Sequence, residues 1–441
     1  MSHQELETSG HDTPDETRKT PSLDEYVARH ANVNYWASAL NQILLRVGWV
    51  FKTETVIMPG FLDMLSQGSA SVRGWLPVLA RLGQSLPQFF YARRVRSLPR
   101  QKFAYFWASL FQALPWLTLT LVILYLPHAR PAGMVALFLV LYGLFWVSGG
   151  VGMLLSGTLQ GKLIPARRRG SLLAVSNFWG CGLGIVCIVA LLPVWMKQGR
   201  HGYALTFGTV TFFFMISALL ILLLREPADP KPKSDAPVGQ FVAQSFRLLQ
   251  QDKNFRLLIA VITLYGTVLI LFPHYATFVR VRLGVGHEYD YLWIAAQNAM
   301  NGLSSLLIGP VADRHGNRLA LRVLTVIAGI TPLLAIGLSH LPPPMGARLS
   351  WMVFLLLGFT PVSQRIITNY TLEICAREQH AQYLSTVQLF QGMTQLLSPL
   401  VGWLMERLGF EVIFVAGAAL MFWGGLLAQG LIEPRRVKTT V

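Results

Sequence analysis

The chain has 441 residues, of which 53% are hydrophobic and only 13% charged, against about a quarter charged in an average soluble chain. With a mean hydropathy of +0.46, this composition excludes a disordered chain, a coiled coil and a soluble multidomain enzyme. The three cysteines (Cys181, Cys187, Cys375) show no CxxC spacing, so neither a disulfide framework nor a metal site is implied.

Residues 1–33 read as an acidic tail. Seven acids stand there against Arg18, Lys19 and Arg29. No basic segment precedes an apolar one, so it is not a signal peptide. The tail is expected to be mostly disordered, with a short amphipathic run near Ser22–Arg29. Apolar stretches of membrane-spanning length then recur. They lie near 35–58, 72–93, 103–126, 132–157, 170–195 and 202–224, and then near 256–279, 290–311, 318–339, 350–373, 381–404 and 408–431. One interruption is long: 225–255 is rich in Pro and charge, then amphipathic over Phe241–Leu249. The expected fold is all-α, with twelve transmembrane helices in two pseudo-symmetric six-helix bundles. The expected divisions are a tail (1–33), a first bundle (34–224), a linker with an amphipathic helix (225–255), a second bundle (256–432) and a short tail (433–441).

Charge placement sets the orientation. With both termini assigned to the cytoplasm, 25 of the 37 Lys and Arg fall on that side, 8 on the other and 4 inside spans. This positive-inside bias accounts for most of the formal net charge of +16 without nucleic acid. The basic loops meet anionic lipid headgroups instead. The two halves also echo one another. Ile164, Pro165, Ala166 and Arg167 precede the fifth span, and Ile374, Cys375, Ala376 and Arg377 precede the eleventh. Pro59 closes the first span and Pro273 sits late in the seventh. A duplicated six-span unit follows.

The sharpest motif lies between the eighth and ninth spans: Gly309, Asp313, Arg314, Gly316 and Arg318. Gly309 is expected to let another helix approach, and Gly316 to take the left-handed conformation that ends a helix. Asp313 is expected to serve a neighbouring helix N-terminus or an Arg on the cytoplasmic side. Here the chain resembles the major facilitator superfamily, whose signature between paired spans is GxxxD(R/K)xGx(R/K). The resemblance covers about 35–431. It implies secondary transport by alternating access, with this loop as a conformational switch. The family's usual first-half copy is degraded: Ala92, Arg96 and Pro99 stand where Gly, Asp and Gly would be. The stretches Leu86–Phe90 and Asn369–Glu373 look like bacterial members of undefined subfamily. The family's antiport signature GxxxGPxxGG is missing from the fifth span, where Gly180, Gly182 and Gly184 read as close helix packing.

Intramembrane charges are costly and so mark candidate sites. The first span has a polar arc of Asn41, Gln42, Arg46, Trp49, Lys52 and Thr53, with Glu54 alone among apolar residues opposite. Such a helix lines an aqueous path. Arg46 lies about 15 Å into its span at 1.5 Å per residue, and Arg81 at a similar depth in the second. Both are expected to line a cavity together. Lys52 and Arg365 either join them or snorkel to the interfaces. Polar faces recur in Arg81, Gln84 and Gln88, in Gln297, Asn301 and Ser304, and in Gln388, Gln391 and Gln395. The last three fit interhelical hydrogen bonds and substrate contact equally. His274 follows a bend expected at Pro273. Glu54 and His274 are the candidate proton-coupling groups.

No GxSxG, HExxH or P-loop occurs, so an enzyme is disfavoured and transport would run on a gradient. The expected function is a secondary transporter of a small molecule in the cytoplasmic membrane, coupled to protons or another ion. It is expected to act as a monomer, without cofactor, metal or nucleic acid. A cationic cavity favours an organic anion. A non-transporting sensor or assembly partner on the same scaffold, and a proton-coupled exporter, are the alternatives.

Overall fold

The computed structural model describes residues 23–96, 98–126, 130–228, 247–375 and 379–433, and helices make up most of them. Helix α1 (Leu23–Phe51) starts ten residues before the expected end of the acidic tail. Glu25 falls in its first turn, where the helix dipole favours a carboxylate. The expected first span does not run straight to residue 58. It stops at Phe51, and α2 (Ile57–Ser66) resumes after a non-helical stretch buried deep in the protein. The Thr53 hydroxyl accepts from the Ile57 amide at 3.3 Å, which offsets part of the lost ladder. Pro59 fits within the first turn of α2, where no intrahelical N–H is required.

Helices α3 (Ala70–Arg73) and α4 (Trp75–Arg96) form the second stretch. Then follow α5 (Lys102–Tyr125), α6 (Pro131–Leu163), α7 (Ala166–Met196) and α8 (Arg200–Ile221). The chain's second half opens with α9 (Lys253–Tyr265) and α10 (Thr267–Leu271). A 3-10 turn at Phe272–His274 carries Pro273 and leads into α11 (Tyr275–Leu283). The remainder is α12 (Asp290–His315), α13 (Asn317–Ser339), α14 (Pro343–Leu349), α15 (Trp351–Leu357), α16 (Thr360–Glu373), α17 (His380–Gln395), α18 (Ser398–Leu408) and α19 (Phe410–Leu427). Most of the linker, including Phe241, lies outside the described residues, while 247–251 are helical.

Among the described residues, eight helical stretches are long and apolar enough to cross a membrane. The four further stretches expected to span (35–58, 72–93, 290–311, 381–404) are helical over most of their length but less apolar. They are the four that carry Arg46, Arg81, Gln297 and Gln391. Polar side chains lower the mean hydropathy of a helix that faces a cavity rather than lipid.

In the first half α5 packs on α6 and α8, α4 on α6, and α1 on α7 and α8. The α1–α7 approach is close because a Cβ at Gly180 would meet the Arg46 Cβ at 2.7 Å, and one at Gly184 the Val50 Cγ2 at 2.6 Å. In the second half α13 packs on α19, and α12 on α13 and α15. The halves meet where α7 packs on α12, α4 on α17, and α3 on α18. A Cβ at Gly74 would meet the Ser398 carbonyl oxygen at 2.6 Å.

Each half ends on a carboxylate that closes its loops. Glu226, just after α8, accepts from the Gln101 and Lys102 amides at 2.9 and 2.8 Å and from Lys162 Nζ at 3.2 Å. Glu433, after α19, accepts from the Arg318 amide at 3.2 Å. Both carboxylates therefore sit at the N-terminus of a helix, α5 and α13 respectively, where exposed amides attract negative charge. Gly316 does not take the expected left-handed helical conformation: its φ is +92° and its ψ 162°, an extended backbone at positive φ, because the chain must turn directly into the next helix, and a Cβ there would collide with the Glu433 carboxylate. The close helix approach expected at Gly309 is not found, because a Cβ there meets nothing within 4 Å. Asp313 and Arg314 are exposed.

Candidate functional site: a cavity between the halves

A cavity of about 200 Å³ lies between the halves. Glu54, Arg81, Gln84 and Trp146 line it from the first half, and Pro273, Gln364 and Gln395 from the second. A wider space of about 500 Å³ shares Arg81, Gln84 and Gln364 and continues to Ser385 and Gln388. It runs toward the end of the molecule that holds the linker, since α4 descends from Arg81 to Arg96 and α17 begins at His380.

Arg81 is the hub. Its guanidinium Nη2 donates to Gln388 Oε1 at 2.7 Å and to Gln391 Oε1. Gln391 donates onward to Gln364 Oε1 at 3.1 Å. No carboxylate pairs with Arg81 among the described residues, and its Nε is buried without a partner. A cation held only by amide carbonyls keeps an unspent charge for an anion.

Across the smaller cavity, Glu54 is held from behind. Its Oε1 accepts from Lys52 Nζ and from the Tyr142 hydroxyl, both at 2.9 Å. Lys52 is fully buried. Its ammonium sits over the rings of Trp49, Phe145, Trp146 and Tyr142, at 4.2, 4.4, 4.4 and 5.2 Å from their centroids. The break after Phe51 makes this box, by turning Lys52 inward among rings from α1 and α6. Four aromatic faces and one carboxylate stabilise a desolvated ammonium.

At the end away from the linker, polar groups join the halves. Asp63 accepts from Arg73 of its own half and from the Thr277 hydroxyl of the other. Arg73 Nε donates to His274 Nδ1 at 3.4 Å. Glu406 Oε1 accepts from the Ser69 hydroxyl at 2.8 Å and the Ser71 amide at 2.9 Å, and Oε2 from the Ser71 hydroxyl at 3.0 Å. Arg280 and His287 both bond Asp290, at 2.6 and 2.8 Å, and lie against Gly60 of the first half. At the linker end, Asn34 bonds the Arg225 amide within the first half. Tyr383 bonds Asp252 at 2.9 Å, and Tyr370 bonds the Ile432 carbonyl at 2.7 Å, within the second.

The structure gathers some expected site residues and separates others. Arg81, Gln84, Gln388, Gln391 and Gln395 converge, although Gln395 Nε2 also donates to the Gly266 carbonyl at 3.1 Å. The Gln88 side chain lies outside the described residues. Arg46 does not line either Arg81 cavity. Its Nε donates to Cys181 Sγ at 3.4 Å, and it lies near enough to Arg365 for the two guanidinium charges to repel. Arg365 is exposed and donates to Ser305 Oγ at 3.1 Å. Lys52, expected at an interface or on the cavity wall, is at neither. Asn41 is buried against Ser217 and Trp49 belongs to the Lys52 box. Gln42 and Asn301 are half-buried. Gln297 accepts from the Thr55 hydroxyl across the halves at 2.6 Å. His274 is fully buried against Arg73. Sequence reasoning missed Tyr142, Trp146, Asp63, Arg73, Glu226, Glu406 and Glu433. The shared Glu-Pro pair after each half's last helix was the available signal for Glu226 and Glu433.

The family model for the Major Facilitator Superfamily matches residues 50–363 and 291–440. No curated protein matches the sequence. Solved structures with the same fold include a nucleoside transporter in mutant form, at 12% identity and TM-score 0.68 over 90% of this chain and 100% of that one. A D-xylose-proton symporter aligns at 14% identity and TM-score 0.66, over 90% and 98% of the two chains. A peptide transporter of the POT family aligns at 12% identity and TM-score 0.65, over 90% and 96%.

Proposed function

Because the chain belongs to the major facilitator superfamily, we propose that it is a secondary active transporter that moves a small organic anion across the cytoplasmic membrane by alternating access. The family makes it a multi-pass membrane protein and a transporter rather than an enzyme. Our reading adds twelve membrane-crossing helices in two six-helix bundles, acting as a monomer with both termini in the cytoplasm. The Lys/Arg bias toward the linker side supports that orientation. A phosphatase fused after Arg436 is then expected to be inactive, and an active fusion would reverse the orientation.

In this orientation the structure is the inward-facing state. The Asp63, Arg73 and Glu406 contacts close the outer side, and the Arg81 cavity opens toward the cytoplasm. Rocking of the halves about the α7–α12 and α4–α17 contacts would expose the same cavity outward. The gradient of protons or another ion supplies the energy. Glu54 and His274 are the proposed proton-coupling groups, and one neighbour in fold is named as a proton symporter.

The observation that carries the substrate reading is Arg81: a cation on the cavity wall whose described partners are glutamine carbonyls. Uptake into proteoliposomes tests it. Labelled organic acids are expected to accumulate when a proton gradient is imposed, and Arg81→Gln to abolish this while leaving the protein folded. Uptake confined to cationic or neutral solutes would overturn the anion assignment.

A further inference from the structure

We infer that Glu54 is a second substrate anchor, and that the cavity selects organic acids carrying a hydroxyl group at the end opposite the acid. This rests on the transporter reading above and names the substrate class of the same site. Three observations carry it. First, Glu54 and Arg81 line one small cavity, so a single ligand faces a carboxylate and a guanidinium together. Second, Lys52 and Tyr142 both bond Oε1 of Glu54. No described residue bonds Oε2, and the side chain keeps 30% of its surface accessible. One carboxylate oxygen is thus fixed from behind and the other is presented. Third, Lys52 is boxed by four rings and reaches no ligand itself. It acts as the internal counter-ion that keeps Glu54 an acceptor while the substrate is bound.

The charges around the cavity choose between ligand donors. Two cations, Lys52 and Arg81, and one carboxylate leave a single positive charge. A hydroxy acid cancels it, whereas an amino acid, neutral overall, leaves it standing. The remaining polar wall is amide: Gln84, Gln364 and Gln395. Gln395 Oε1 is buried without a partner, so a further ligand hydroxyl would satisfy it. The indole of Trp146 supplies an apolar face against the carbon skeleton.

The test is equilibrium binding to the purified full chain in lipid nanodiscs, with gluconate, hexanoate, aminohexanoate and glucose as probes. Gluconate is expected to bind about tenfold or more tightly than hexanoate, because a charge-assisted hydrogen bond to Glu54 is made only by the hydroxylated acid. Glu54→Gln should erase that advantage without weakening hexanoate, whose carboxylate then meets one more unit of positive charge. Arg81→Gln should weaken both acids. If Glu54→Gln fails to fold because Lys52 loses its counter-ion, the Lys52→Met/Glu54→Gln double variant removes both charges and serves the same comparison. Equal binding of gluconate and hexanoate, an equal loss of both in the Glu54 variant, or preference for aminohexanoate would overturn the inference while the anion reading stands. Binding of glucose but of neither acid would overturn both.

Discussion

Replacing Glu406 by glutamine probes the outer closure at its most exposed point. The carboxylate reaches from α18 across the halves and caps the N-terminus of α3 through the Ser69 hydroxyl and both the amide and hydroxyl of Ser71. Glutamine keeps one acceptor oxygen, loses the charge and turns an NH2 toward groups that also donate. N-terminal capping interactions stabilise a helix by about 0.5–2 kcal/mol, and hydrogen bonds to a charged group contribute about 1.5–3 kcal/mol when buried. Glu406 is exposed, so solvent lowers the second figure, and about 1–2 kcal/mol of closed-state preference is at stake. That corresponds to roughly a 5- to 30-fold shift in population. A single cysteine at Thr55, in a background lacking Cys181, Cys187 and Cys375, reports the shift through its reaction with a membrane-impermeant maleimide added from outside. Glu406→Gln is expected to speed this labelling several-fold while overall stability changes little, since α3 has only four residues. Labelling within about twofold of the parent would refute the idea that this cap helps hold the outer side shut.

Arg81→Lys is expected to weaken organic-anion binding by about tenfold with little change in melting temperature, because an ammonium cannot reproduce the planar fork. Arg46→Lys should change affinity less and stability more, and calorimetry on the two variants separates these outcomes. Gly316→Ala is expected to lower the melting temperature. It adds roughly 1–3 kcal/mol of backbone strain at φ +92° and ψ 162° and displaces the Glu433 carboxylate; a variant as stable as the parent would refute that account. Glu226→Gln and Glu433→Gln should each destabilise the protein by about 1–3 kcal/mol, since each leaves helix-terminal amides poorly matched. A denaturation series that moved for only one of them would show that the two halves do not share this device.

Membrane class and family were legible in the sequence because hydropathy, loop charge and the Gly309–Arg318 motif are local sums over neighbouring residues. The polar faces of the second and eleventh spans were legible for the same reason, since 3.6-residue periodicity places Arg81 beside Gln84 and Gln391 beside Gln388 and Gln395. Which cation meets the cavity was not. Arg46, Lys52 and Arg81 look alike as charges in apolar helices, yet Lys52 is boxed by rings, Arg46 leans on α7, and only Arg81 reaches the glutamines. The difference comes from the break after Phe51 and from the rotation of each helix against neighbours about ninety or more residues away. A helical wheel drawn for one span contains neither. The outer contacts of Asp63, Arg73 and Glu406 were hidden for the same reason. Each looks like an ordinary charge near a span end, and only the packing of α3 against α18 and of α2 against α11 brings them to partners on the other half.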